Sequence, residues 1–146
     1  MTRQNKILTA LVAVVVGVAV VAAVVSATRQ APDYDPASPE GVVQRYLAAV
    51  LEGDLAAAAA RLEPDSRCTV EDLDRAYVPD GVRAVLRGAE VDGQKAVVKV
   101  DLAVSSGGLF DGSEFTDDQT FRLSRSGDGW RIAGSPWPLD SCELER

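Results

Sequence analysis

Residues 7–27, ILTALVAVVVGVAVVAAVVSA, carry no charged side chain, and Thr9 and Ser26 are the only polar groups among them. At 1.5 Å per residue a helix of this length reaches roughly 30 Å, the thickness of a bilayer's hydrocarbon layer, and satisfies its backbone amides within one segment. The run therefore predicts a transmembrane helix beginning at Ile7 and ending at Ala27, in contact with the lipid bilayer. Arg3, Lys6 and the amino terminus precede it, whereas Arg29 is followed closely by Asp33 and Asp35. Basic flanks stay in the cytoplasm, so residues 1–6 are expected as a cytoplasmic tail and the long C-terminal part as extracytoplasmic, in a single-pass cell-membrane protein. Val25-Ser26-Ala27 also satisfies the small-residue rule of a cleavable signal peptide, and on that alternative the protein is secreted after cleavage at Ala27. A signal peptide's apolar region is usually about 7–15 residues long, shorter than this run, which favours the uncleaved anchor.

The exported setting bounds what the rest can be. The chain holds 22 acidic and 15 basic residues, a net charge of −7, and two of the basic residues, Arg3 and Lys6, lie before the apolar run. So acidic a domain would repel other polyanions, and no nucleic acid is expected as a partner. Cys68 and Cys142 are the two cysteines. Neither has the close-spaced Cys or His neighbours of a metal or redox site, so in an oxidising compartment they are read as a disulfide. By loop-closure entropy such a bridge contributes about 4 kcal/mol.

Residues 28–37 hold two prolines and no apolar period, and are expected to link membrane and domain, with Tyr34 at the headgroups or in solvent. Ser38-Pro39-Glu40 starts a helix: a hydroxyl caps free amides, proline sits where its missing N–H costs nothing, and an acid meets the positive end of the dipole. Val42, Val43, Tyr46, Leu47, Val50 and Leu51 then form one apolar stripe, up to Gly53. Asp54 caps an Ala-rich second helix expected through Leu62, and Pro64 stops it. Thr69 with Asp72 resembles a capping box opening a third, short helix to about Tyr77. Beyond Pro79-Asp80-Gly81 the period changes to two. Val82, Ala84 and Leu86 alternate with Arg83, Val85 and Arg87, and Asp92-Gly93 is a two-residue hairpin turn. After it Ala96, Val98, Val100, Leu102 and Val104 face one way while Lys99 and Asp101 face the other. Phe121 and Leu123 continue the pattern in a third strand, Ser126 to Gly129 turns the chain, and Trp130 with Ile132 makes a fourth. The fold class is therefore α+β: after the transmembrane helix, about three helices on a four-stranded antiparallel sheet.

This layout, with Gly53-Asp54-Leu55 between the helices and Gly129-Trp130-Arg131-Ile132 at the last strand, resembles the NTF2-like (cystatin-like) superfamily, a curved sheet wrapped around helices into a cone. The resemblance covers roughly residues 38–144 of the extracytoplasmic domain expected at residues 38–146. The strands that the family often carries between its helices are reduced here to residues 63–68. Richness in Ala, Val and Arg, with only Lys6, Lys95 and Lys99 as lysines, is similar to exported proteins of high-GC actinobacteria. There, small anchored NTF2-like proteins accompany transport or secretion assemblies.

Chemistry is sparsely represented. The chain has no His, which removes Ser-His-Asp and Cys-His systems and most zinc sites. NTF2-like isomerases use an Asp base with a Tyr donor in an apolar pocket, and Asp101 with Tyr46 is the least unlikely such pair; no motif matches either to the family's catalytic positions. Asp111, Glu114, Asp117 and Asp118 lie in a segment read as a hairpin loop, residues 107–118, with no EF-hand spacing, so no metal and no cofactor are expected. Phe110 and Phe115 in that loop are expected tucked under the sheet, with an interface or pocket as the alternative. Trp137, between two prolines, is expected to plug the open end of the cone, with an interface or pocket contact as the alternative. The functional expectation is a non-catalytic, membrane-anchored binding or accessory protein of a cell-envelope complex with a protein partner. A carrier of a small apolar ligand in the cone, or less so an isomerase-like enzyme, is the alternative.

Overall fold

The computed structural model describes residues 11–16, 32–105, 114–127, 129–139 and 142. The chain divides into two compact units, Met1–Asp33 and Tyr34–Arg146. Of the expected spanning segment, residues 11–16 are helical with exposed apolar side chains, and the remainder lies outside the described residues. Among the described residues no helix is long and apolar enough to cross a membrane.

The second unit is an α+β structure whose sheet is assembled in chain order. Helix α1 (Pro39–Glu52) is capped by the Ser38 hydroxyl, which accepts from the Gly41 amide at 3.0 Å. It closes on Gly53 in the left-handed region (φ 77°), where its amide reaches back to the Ala49 and Val50 carbonyls. The expected stripe is buried at Val42, Val43, Tyr46, Leu47 and Val50, but Leu51 is 40% exposed. Ala49 and Gly41 take the flank instead, because the buried arc is set by the neighbouring elements and turns away before the last residues of the helix.

Part of the expected linker belongs to the domain. The Asp35 carbonyl accepts from the Ser38 amide and hydroxyl, and the Tyr34 amide donates to Gln44 Oε1 at 3.3 Å. A Cβ at position 41 would sit 1.9 Å from the Asp35 oxygen, so glycine there permits the segment to lie against the helix. Tyr34 is accordingly half-buried.

Helix α2 (Leu55–Ala59) is shorter than its alanine content suggests. The expected end at Leu62 is wrong because Leu62 is taken by the sheet: it bridges Ile132 in parallel, with Ile132 N–H donating to Arg61 and Glu63 N–H donating to Ile132. That single bridge is also what stands for a strand in residues 62–68.

Helix α3 (Val70–Arg75) opens with a full capping box between Thr69 and Asp72. The Thr69 amide and hydroxyl both donate to Asp72 Oδ2, at 2.8 and 2.9 Å. These bonds hold the Asp72 carboxyl below the usual carboxylate range, and Arg75 adds to them against the opposing effect of burial. A carboxyl with a depressed folded pKa contributes stability above its unfolded value, and that contribution is lost as pH falls through the folded value. Unfolding midpoints are therefore expected to fall more steeply below about pH 4 in wild type than in Asp72→Asn. Parallel acid limbs for the two proteins in urea titrations would refute this.

Strands β1 (Val82–Asp92), β2 (Lys95–Ser105), β3 (Glu114–Ser126) and β4 (Gly129–Ala133) pair antiparallel in the order β1-β2-β3-β4. The first hairpin turn differs from expectation by one residue. Asp92 pairs with Lys95, leaving Gly93 and Gln94 as the loop. Gly93 has φ 56° and no non-glycine residue among those described has positive φ, so only the first central position is left-handed, the pattern of a type II′ turn rather than type I′. Ala96, Val98, Val100 and Leu102 are buried as their alternation requires, and with Phe121, Leu123, Trp130 and Ile132 they meet α1 across the core. Cys68 and Cys142 form a disulfide with Cα atoms 5.4 Å apart, ordinary for such a bond. It ties residues 134–142, with Leu139 buried, to the segment before α3.

Candidate functional site

The start of β3 differs from the expected loop. Residues 114–118 continue the ladder with β2, with Val104 opposite Phe115 and Leu102 opposite Asp117, ahead of Val100 opposite Gln119 and Val98 opposite Phe121. Since Leu102, Val100 and Val98 face the core, the residues opposite them share that face. Phe115, Asp117 and Gln119 therefore line up with Phe121 on the concave side of the sheet. The apolar period is invisible here because two of those positions are polar.

At this end the strands run past the packed core and border an open cavity of about 350 Å³, within the size range of small-molecule sites. Val82, Val104 and Phe115 form a row across three adjacent strands on its wall. Leu102 forms the inner surface, while Pro79 and Trp137 close it from the loops. Asp117 is the only ionisable group among these lining residues. Its Oδ2 accepts a hydrogen bond from Gln119 Nε2 at 2.6 Å, so the amide orients the carboxylate on the wall. Beyond the cavity the space between α1 and the sheet is filled by side chains. Tyr46 (0% exposed) meets Phe121 (1%) edge to face with ring centroids 6.0 Å apart.

The residues singled out from sequence are distributed as follows. Trp137 is half-buried and lines the wall of the cavity, which stays open beside it and is not filled by the ring. Phe115 is 69% exposed. It is not tucked under the sheet, because its position opposite Val104 lies beyond the packed core, at the rim of the cavity. Phe110 and Asp111 lie outside the described residues. Glu114, Asp117 and Asp118 belong to β3 and not to a loop, and among the described residues no cluster of three metal-ligating side chains occurs.

Asp101 and Tyr46 are not brought together. Asp101 points to the convex face, where Arg87 pairs with it, and Tyr46 is buried among core residues on the other side of the sheet. Asp117 was the residue that sequence reasoning missed. Its signal was parity: counting back by twos from Phe121 through Gln119 places it on the inner face.

No protein-family model matches this chain, and neither does any curated protein. Among solved structures, a SEC-C motif containing protein from Rhodopseudomonas palustris matches with a TM-score of 0.54 and 17% identity, over 69% of this chain and 79% of that one. An NTF2-like designed protein aligns at a TM-score of 0.46 and 12% identity, over 64% and 90% of the two chains. A candidate polyketide cyclase from Xanthomonas campestris pv. campestris aligns at 0.33 and 14%, over 65% and 88%. The last two scores are too low to argue from. What the comparisons establish is a fold shared with the Rhodopseudomonas protein, in an α+β chain with a four-stranded antiparallel sheet.

Proposed function

We propose that this chain is an NTF2-like, non-catalytic binding protein, held on the extracytoplasmic side of the membrane by residues 7–27, whose ligand is a small molecule with an apolar body. The observation that carries the reading is the cavity of about 350 Å³, walled by Val82, Leu102, Val104, Phe115 and Trp137. Burying apolar ligand surface there yields roughly 25 cal/mol per Å². One carboxylate, with no second acid–base group among the described lining residues, suits holding a ligand more than converting one. The tether rests on the uncharged run and its basic N-terminal flank.

The test uses the full chain in nanodiscs and a panel of water-soluble phenyl compounds, read by ligand-observed saturation transfer. Val104→Trp fills the cavity from a half-buried position and is expected to abolish binding while leaving the thermal midpoint near that of wild type. If no compound distinguishes wild type from Val104→Trp, the cavity is not the binding site. An intact mass retained in the membrane fraction is expected for the tether, and a mature chain beginning at Thr28 would overturn it.

A second reading, the accessory role in an envelope complex, is favoured by exposed rings: Tyr77 is 82% exposed and Phe115 69%. Aromatic groups are enriched at protein interfaces. A photo-crosslinker at position 77 in native membranes is then expected to capture one defined protein, and an absence of any adduct would remove this reading.

A further inference from the structure

From the cavity wall we infer the ligand's charge: the site selects an organic cation, an alkylated ammonium on an apolar or aromatic body. The inference rests on the cavity being the binding site and adds the class of molecule it takes. The argument begins with Asp117. Its backbone position opposite Leu102 places it on the inner face, one strand repeat from Phe115, so a ligand filling the space between Leu102, Val104 and Trp137 lies against the carboxylate and takes water from it. Covering an ionised group without compensation costs several kcal/mol. A neutral ligand leaves that cost standing, and an anion adds repulsion from Asp117 and from a chain of net charge −7. A cation removes it.

The remaining wall says which kind of cation. A primary ammonium brings three N–H donors that need acceptors, and among the described residues the lining around Asp117 is Pro79, Val82, Leu102, Val104, Phe115 and Trp137, whose side chains offer no carbonyl or carboxylate. Gln119 is already turned so that its amide nitrogen donates to Asp117 Oδ2. A methylated ammonium needs no hydrogen bonds. Its charge is met by the carboxylate and by aromatic faces, which attract cations within about 6 Å of the ring centroid, and its methyl groups suit an apolar wall. Phe115 and Trp137 supply the rings at the same opening as the acid.

The experiment compares benzyltrimethylammonium with its neutral isostere neopentylbenzene, by calorimetric titration of the full chain in zwitterionic nanodiscs, with Val104→Trp as the control for lipid partitioning. The cation is expected to bind about tenfold more tightly than the isostere. Asp117→Asn, at an exposed position on β3, is expected to erase that preference without weakening neopentylbenzene, and raising the salt concentration should narrow it in wild type. If both compounds bind wild type equally and Val104→Trp rejects both, the cation selectivity is wrong and the cavity reading stands. Failure of both compounds to bind wild type overturns the cavity reading and this inference with it. A cation preference that survives in Asp117→Asn also overturns the inference, because the carboxylate would then not be its source.

Discussion

Truncating Phe121 to alanine is expected to cost the domain about 3–5 kcal/mol. Its ring is 1% exposed, stands opposite Val98 in the ladder, and meets the Tyr46 ring edge to face at 6.0 Å. The truncation therefore removes the ring's own transfer energy, opens a cavity between α1 and the sheet, and deletes an aromatic pair worth about 0.5–1.5 kcal/mol beyond its area. The site cannot collapse easily, because on one side it is bounded by a hydrogen-bonded strand and on the other by a helix already seated on the sheet. Domains of this size are stable by about 5–15 kcal/mol, so the loss is a large fraction of the whole. Urea unfolding of the full chain in nanodiscs, followed by the fluorescence of buried Trp130, should show a lower midpoint with an unchanged slope. Phe121→Leu, which keeps much of the volume, should recover more than half of the difference. A cost below about 1.5 kcal/mol for the alanine variant would mean that Phe121 is not a centre of the core.

The second large effect belongs to the disulfide. Cys68 and Cys142 are 74 positions apart, and for a loop of that length the entropy model gives about 4 kcal/mol, with native strain reducing it. The bridge also holds the segment that carries Trp137 and the buried Leu139, so its loss acts on the cavity as well as on the core. The double variant Cys68→Ala/Cys142→Ser is expected to lose about 3–4 kcal/mol. Wild type in reductant should show the same loss, which separates the covalent link from the packing of the sulfur atoms. An unfolding midpoint that ignores reductant would show that the bridge does not form in the folded protein or contributes nothing. Ligand binding offers an independent reading: reduction should weaken it by freeing the Trp137 wall, even at temperatures where the domain stays folded.

Much of the architecture could be read from local chemistry. Ser38, Asp54 and Thr69 each cap the helix that follows, Gly53 closes α1, and the β2 alternation names Ala96, Val98, Val100 and Leu102 as buried, though not Ala103 on the other face. These are features in which a side chain and its own neighbours carry the whole cause. Where the cause lay elsewhere in the chain, reading failed. Five alanines favour helix wherever they occur, and nothing near Leu62 announces that Ile132 will claim its backbone. Gln94, by not adopting a left-handed conformation, decided the hairpin type against the Asp-Gly dipeptide.

The same division runs through the site. Composition and periodicity by themselves established an acidic α+β domain, a basic-flanked apolar run ahead of it, two cysteines and the absence of histidine chemistry. They could not place Asp117, which in isolation is one of several acids in a polar stretch. Its role came from the β2–β3 ladder, in which hydrogen bonds between residues distant in sequence set the register. A strand has only two faces, and a shift of one residue would have turned this carboxylate to solvent. Local sequence determines which elements form, since propensity and capping act over a few residues. Whether a polar side chain then lines a cavity or faces water is determined by pairing, whose energy is summed along whole strands and is carried by no single residue.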